Sequence, residues 1–330
     1  MASSPSLKLI VSTSTNPYWN VSVENYLVEH PDDDSVVMYL WKNRRTVVIG
    51  QNQNPFSECN VDTLIADGGY VMRRTTGGGA VYHDDGNLNF SFVAPYGLYD
   101  QDRQFGVIIR ALEAYGLRAE LSGRNDMLVA DAEGNLRKFS GNAFSKGRVR
   151  RLHHGTILIR GDIEDLKKYL KVKPAKLHKH GVQSVVSRVV NLSELADVNT
   201  ENIIPHLVAA FEELYCGKVD EIEFDSIVKR TEVVSLYEKY SSDEWLFGRW
   251  RTFSASRTAN FEWGIVELSL IVDEKNAVIK DVTVATDSLD TNLSAEIRKL
   301  LIGVSTHQAP IVSDDEPCAD QLRDVISLIY

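Results

Sequence analysis

The chain has 330 residues, of which 43% are hydrophobic and 25% charged, and it carries a formal net charge of −10. This balance is that of a soluble globular protein and argues against non-specific binding to nucleic acid. Cys59, Cys216 and Cys318 are too scattered for a disulfide framework and fit a reducing compartment.

Residues 1–6 lack the basic stretch and apolar core of a secretory signal, so a cytoplasmic protein is expected. No apolar run reaches the length that spans a bilayer. Residues 7–11 read as a strand. Residues 20–30 take helical spacing in their second half, and Pro31 with three aspartates ends them. Residues 36–41 and 46–49 are adjacent β-rich runs, and 60–66 read as a short helix closed by Asp67-Gly68-Gly69. Asp85-Gly86 predicts a β-hairpin of residues 80–83 with 87–92. An amphipathic helix over 104–115 stops at Gly116. Residues 127–130 and 136–140 read as strands paired around a turn at 132–135, and 152–159 as another strand. Helices follow at 163–170 and 200–215, with Asp162 and Asn199 or Thr200 as N-caps. Residues 167–188 are basic and weakly periodic, and 244–255 carry little periodicity. Strands at 260–272 and 277–286, turning at 273–276, and helices at 292–301 and 318–329 complete the chain. Strands with interspersed helices and no regular βαβ repeat predict an α+β fold with mixed or antiparallel sheets. The length suits a large domain over 1–247, a linker at 248–255 and a small α+β domain over 256–330.

The most informative stretch is Arg73-Arg74-Thr75-Thr76-Gly77-Gly78-Gly79-Ala80-Val81-Tyr82-His83-Asp84. Consecutive glycines let backbone N–H groups face one concavity and hold an anion, and arginine forks pair with carboxylate or phosphate. A flexible turn is the competing reading. The stretch has neither P-loop nor dinucleotide spacing, and β-type sequence follows it. Downstream lie Gly123-Arg124-Asn125-Asp126, Lys138-Phe139-Ser140-Gly141-Asn142-Ala143 and His153-His154-Gly155-Thr156. A lysine in a half-buried strand needs a partner, which a bound carboxylate or phosphate supplies. An edge lysine reaching solvent fits the same pattern.

In this order and spacing, these four motifs resemble lipoate–protein ligase A. Tyr39-Leu40-Trp41, Thr46-Val47-Val48-Ile49-Gly50, Gln53-Asn54-Pro55, Glu244-Trp245-Leu246-Phe247-Gly248 and Trp263-Gly264-Ile265-Val266-Glu267-Leu268 extend the resemblance over nearly the whole chain. It implies a biotin/lipoate ligase-like catalytic domain with an accessory C-terminal domain. It also implies ATP-dependent formation of lipoyl-AMP, with lipoyl transfer to a lysine of lipoyl-accepting protein domains. Neither nucleic acid nor a membrane is an expected partner.

Carried over residue by residue, the resemblance makes Lys138 the catalytic residue, contacting lipoate and the α-phosphate. Arg73, Gly78, Gly79, Ala80 and Val81 become the ATP cradle, and Arg74 either shares that role or flanks it. Asn125 and Asp126 are candidates for a phosphate–Mg²⁺ region. His83, His154 and Arg73 are candidates for lipoate contact, although both histidines read equally well as structural. Residues 167–188 resemble a lid over the adenylate. The rivals are an octanoyl or lipoyl transferase on the same fold, which in its thioester form needs an activated thiol, and a non-catalytic binder of lipoate or nucleotide. A biotin ligase is disfavoured, because its phosphate loop reads Gly-Arg-Gly-Arg.

Overall fold

The computed structural model describes residues 5–30, 34–123, 125–171, 189–247, 255–273, 278–305 and 308–329. Residues 172–188 of the expected lid at 167–188, 248–254 of the linker at 248–255, 274–276 of the turn at 273–276, and Arg124 lie outside the described residues.

An eight-stranded sheet forms the scaffold. Its strands are β1 (Leu7–Val11), β2 (Val36–Trp41), β6 (Asn87–Pro95), β7 (Ala119–Ser122), β8 (Asp126–Ala130), β9 (Leu136–Lys146), β10 (Arg150–Leu158) and β11 (Val219–Glu221). They lie in the order β11-β1-β2-β6-β10-β9-β8-β7. Pairing is parallel at β11-β1-β2 and antiparallel from β2 onward. Every residue of β2 is buried. Its alternate side chains therefore enter two cores. Met38 and Leu40 pack with helices α4 (Gln101–Glu113) and α6 (Ile203–Tyr215) through Phe105, Ile108, Leu207 and Phe211. Val37, Tyr39 and Trp41 pack on the other face with α1 (Pro17–Glu29), α7 (Phe224–Val228) and α8 (Thr231–Ser241).

A smaller sheet, ordered β4-β3-β5, holds β3 (Thr46–Ile49), β4 (Tyr70–Arg73) and β5 (Val81–His83). It packs on α3 (Val61–Ala66) and on Tyr169 of α5 (Ile163–Tyr169), with the short α2 (Pro55–Glu58) before α3. A third sheet, β12 (Ala255–Phe261), β13 (Gly264–Asp273) and β14 (Val278–Thr286), packs against α10 (Leu293–Leu301) and α11 (Ala319–Ile326). The short α9 (Asp243–Phe247) precedes it. The α+β class with mixed and antiparallel sheets is as expected.

Five local details differ from the sequence reading. The hairpin is absent: β5 pairs with β3, while β6 pairs with β2 and β10, so Asp85-Gly86 carries the chain between two sheets. Gly86 is needed there because a Cβ would lie 2.0 Å from the Arg160 carbonyl oxygen. The runs at 36–41 and 46–49 likewise belong to different sheets. Helix α1 starts earlier than residue 20, since Asn16 accepts from the Tyr18 N–H and Pro17 occupies the first turn. Neither Asn199 nor Thr200 caps α6; Asn199 instead closes a turn by accepting from Glu201 and Asn202. The C-terminal unit holds three strands rather than two, because a turn at Glu262-Trp263 separates β12 from β13.

Candidate active site

A cavity of about 290 Å³ opens where the large and small sheets meet. β9 and β10 bring Lys138, Gly141, Asn142, Ala143, His154, Gly155 and Thr156 to it. The small sheet and its loop bring Val48, Met72, Arg74, Gly78, Gly79, Ala80, Val81 and His83. Trp41, Asn89, Asn125 and Glu24 complete the wall. Trp41, Val48, Met72, Val81 and Ala143 make an apolar slot beside polar groups.

Lys138 owes its position to a bulge. Met127 faces Ser140 but Leu128 faces Lys138, so Phe139 is the extra residue in β9. The Val190 N–H donates to the Lys138 carbonyl at 3.0 Å, clasping the strand just beyond the undescribed segment 172–188. The Lys138 ammonium lies 2.7 Å from Asp126 Oδ1, with 34% of its side chain exposed. It passes close over Gly141, where a Cβ would lie 3.2 Å from Nζ. The expected paired strands thus place Lys138 and Asp126 together. Asn125 is held by Asn142: its Nδ2 donates to the Asn142 carbonyl, and its own carbonyl accepts from Asn142 N–H.

The two arginines differ. Arg73 is buried and is not part of the cavity wall. Its guanidinium donates to the carbonyls of Gly50, Gln51, Gln53, Trp245 and Leu246. Arg73, expected to contact phosphate or lipoate, here joins α9 to the small sheet and its loop. Arg74 lines the cavity and holds the glycine turn by donating to Gly77 O at 2.7 Å and Gly79 O at 2.8 Å. Burial lowers its pKa to about 10, opposed by the nearby Glu24 charge.

Gly79, Ala80 and Val81 face the cavity, but the Gly78 N–H donates to the Ser288 carbonyl at 3.0 Å. Gly78 takes φ +95°, which favours glycine, and a Cβ on Gly77 would lie 2.2 Å from Ser288 O. Both hydrogen-bonding atoms of the His154 ring are taken, Nδ1 by Glu24 and Nε2 by Thr76. His83 differs. Its Nδ1 meets Asn43, while its buried Nε2 has no partner among the described residues. Burial, with Arg74 and His154 nearby, lowers the His83 pKa to about 3, so the ring is neutral near pH 7.

A model of the lipoyl protein ligase A/B catalytic domain matches residues 16–212, and one of the bacterial lipoate protein ligase C-terminus matches 251–313. Lipoate-protein ligase A of Psychrobacter cryohalolentis is 38% identical over 306 residues, spanning 90% of this chain and 88% of the relative. The chain belongs to the lipoate–protein ligase A family. The structure of P. falciparum LipL1 in complex with lipoate is similar at 30% identity and TM-score 0.81, covering 97% of this chain and 98% of that one. A lipoate-protein ligase A bound with ATP aligns at 25% identity and TM-score 0.60, covering 74% of this chain and 99% of that one.

In this lipoate–protein ligase none of the three cysteines is part of the cavity wall. Cys59 is fully buried among Val47, Val61 and Leu64, and burial pushes its thiol up to about 12. Cys318 donates to Asp290 in the C-terminal unit, and its thiol is also raised to about 12, chiefly by burial. Replacing Cys59, Cys216 and Cys318 together by serine is therefore expected to leave most lipoylation activity. Loss of turnover in a folded triple variant would revive the thioester route. Among the described residues no group of three His, Cys, Asp or Glu forms a metal site, and no helix is long and apolar enough to cross a membrane. Sequence reasoning missed Glu24, Thr76, Trp41 and Asn89. Glu24 alone left a signal: a carboxylate among Val21, Val23, Tyr26 and Leu27 on a buried helix must have a partner.

Proposed function

We propose that the protein activates lipoate with ATP and then lipoylates a lysine of lipoyl-accepting protein domains. The observation that carries this reading is Lys138 at the mouth of a cavity with an apolar slot on one side and a glycine turn on the other. In the first step a lipoate carboxylate oxygen bonds to the α-phosphorus, and the α–β bridging bond breaks to release pyrophosphate. In the second, the acceptor amine bonds to the acyl carbon, AMP leaves, and the amine proton passes to solvent. Charge builds on oxygen in both steps, which favours fixed cations and N–H donors.

Lys138 leaves Asp126 and bridges the carboxylate and the α-phosphate. The N–H groups of Gly79, Ala80 and Val81 face the phosphates, on a turn held by Arg74. The His83 Nε2 is a polar contact for lipoate at the apolar end. Asp126, once released, and Asn125 beside it would hold Mg²⁺ through oxygen donors of the type it takes, and the ion would supply charge neutralisation at the phosphates. The catalytic unit spans 1–247, joined by 248–255 to the accessory unit at 256–330. Its free cysteines fit work in the cytoplasm.

Mass spectrometry of an acceptor domain incubated with the protein, lipoate, ATP and Mg²⁺ tests this. Lipoylation that requires ATP and releases pyrophosphate is expected. Equal modification without ATP, from an acylated donor protein, would replace the ligase reading with that of a transferase.

A further inference from the structure

A buried chain of hydrogen bonds runs through the cavity wall. Trp41 Nε1 donates to Ser91 Oγ at 3.0 Å, and Ser91 Oγ donates to Glu24 Oε1 at 2.6 Å. From the other side, Arg74 Nε donates to Thr76 Oγ1 at 3.0 Å. Thr76 Oγ1 meets His154 Nε2 at 2.9 Å, and His154 Nδ1 meets Glu24 Oε1 at 2.8 Å. Glu24 is 1% exposed, and Thr76 and Ser91 are fully buried.

The ends fix the direction of the middle. An indole and a guanidinium only donate, and an ionised carboxylate only accepts. A neutral His154 that donates from Nδ1 to Glu24 presents Nε2 as an acceptor, and Thr76, which accepts from Arg74, gives its own proton to it. One buried charge thus sets one histidine tautomer, one hydroxyl orientation and one guanidinium pose. That guanidinium in turn grips the carbonyls of Gly77 and Gly79.

We infer that Glu24 is a positioning residue that acts through His154, Thr76 and Arg74 to hold the glycine turn in its phosphate-accepting shape. This rests on the ligase reading and extends it to residues that touch neither substrate's reacting atoms. Glu24→Gln removes the charge at nearly constant shape. Thr76→Val removes the hydroxyl at nearly constant volume. Thr76 is not part of the cavity wall, so Thr76→Val leaves the apolar slot unchanged.

ATP affinity by calorimetry reads the turn without turnover, and steady-state kinetics gives KM for ATP and lipoate separately. Each variant is expected to weaken ATP binding and raise its KM about tenfold, as a lost hydrogen bond to a charged group does. For Thr76→Val, whose side chain is not part of the cavity wall, KM for lipoate should stay near the parent value. The double variant should cost little more than either single one, because both cut the same chain. Unchanged ATP affinity in folded single variants, or losses that add, would overturn the inference. If Glu24→Gln does not fold, Thr76→Val carries the test alone. Absence of lipoate-dependent pyrophosphate exchange in the parent protein would instead reject the ligase reading, so the two failures are separable.

Discussion

Lys138→Ala is expected to lower lipoate-dependent ATP–pyrophosphate exchange by roughly two to three decades, the scale of losing a fixed donor to developing oxygen charge. Stability should hardly change. The lysine's ion pair with Asp126 is about one-third exposed at both ends, and such pairs contribute about 0–1 kcal/mol. Lys138→Arg should rescue poorly. A compact ammonium meets a carboxylate and a phosphate from one point, whereas guanidinium is a wider planar fork that must also pass Gly141. Exchange rates set beside melting curves decide the matter. Near-normal exchange in folded Lys138→Ala removes the residue from the chemistry.

Arg73→Leu is expected to do the reverse. Five carbonyls from two separate segments lose their donor, and leaving buried polar groups without partners is expensive. A loss of about 3–5 kcal/mol is expected, on the scale of breaking a buried charged network. Denaturant midpoints at constant slope measure it. A variant within about 0.5 kcal/mol of the parent, but with a greatly raised KM for ATP, would restore Arg73 to the phosphates.

These adjacent arginines show where sequence reasoning stops. Neighbouring residues on extended chain point to opposite sides, so one of the pair must face the cavity and the other the interior. Composition is the same for both; only the end of β4 at Arg73 and the packing of α9 decide. By contrast β1, β2 and β3 were legible to the residue, because short, largely apolar runs rich in β-branched residues favour strand. The assignment of β2 and β3 to different sheets was not legible, since nothing local distinguishes a hairpin from a crossing between layers. Lys138 stood out because a lysine in a half-buried strand needs a partner. Glu24 showed the same need for a partner, but nothing local named that partner, since His154 is 130 residues away in sequence.

The hydrogen bond from Gly78 to Ser288 carries a thermodynamic obligation. The C-terminal unit also donates Thr286 N–H to the Asn52 carbonyl and accepts from Asn52 Nδ2 through Thr291. An anion that claims the Gly78 amide must first evict the Ser288 carbonyl, so anion and docked C-terminal unit are competitors for one donor. Coupling of this kind is reciprocal. Whatever tightens the docked arrangement weakens the anion's hold by the same factor, and a bound anion loosens the docking equally.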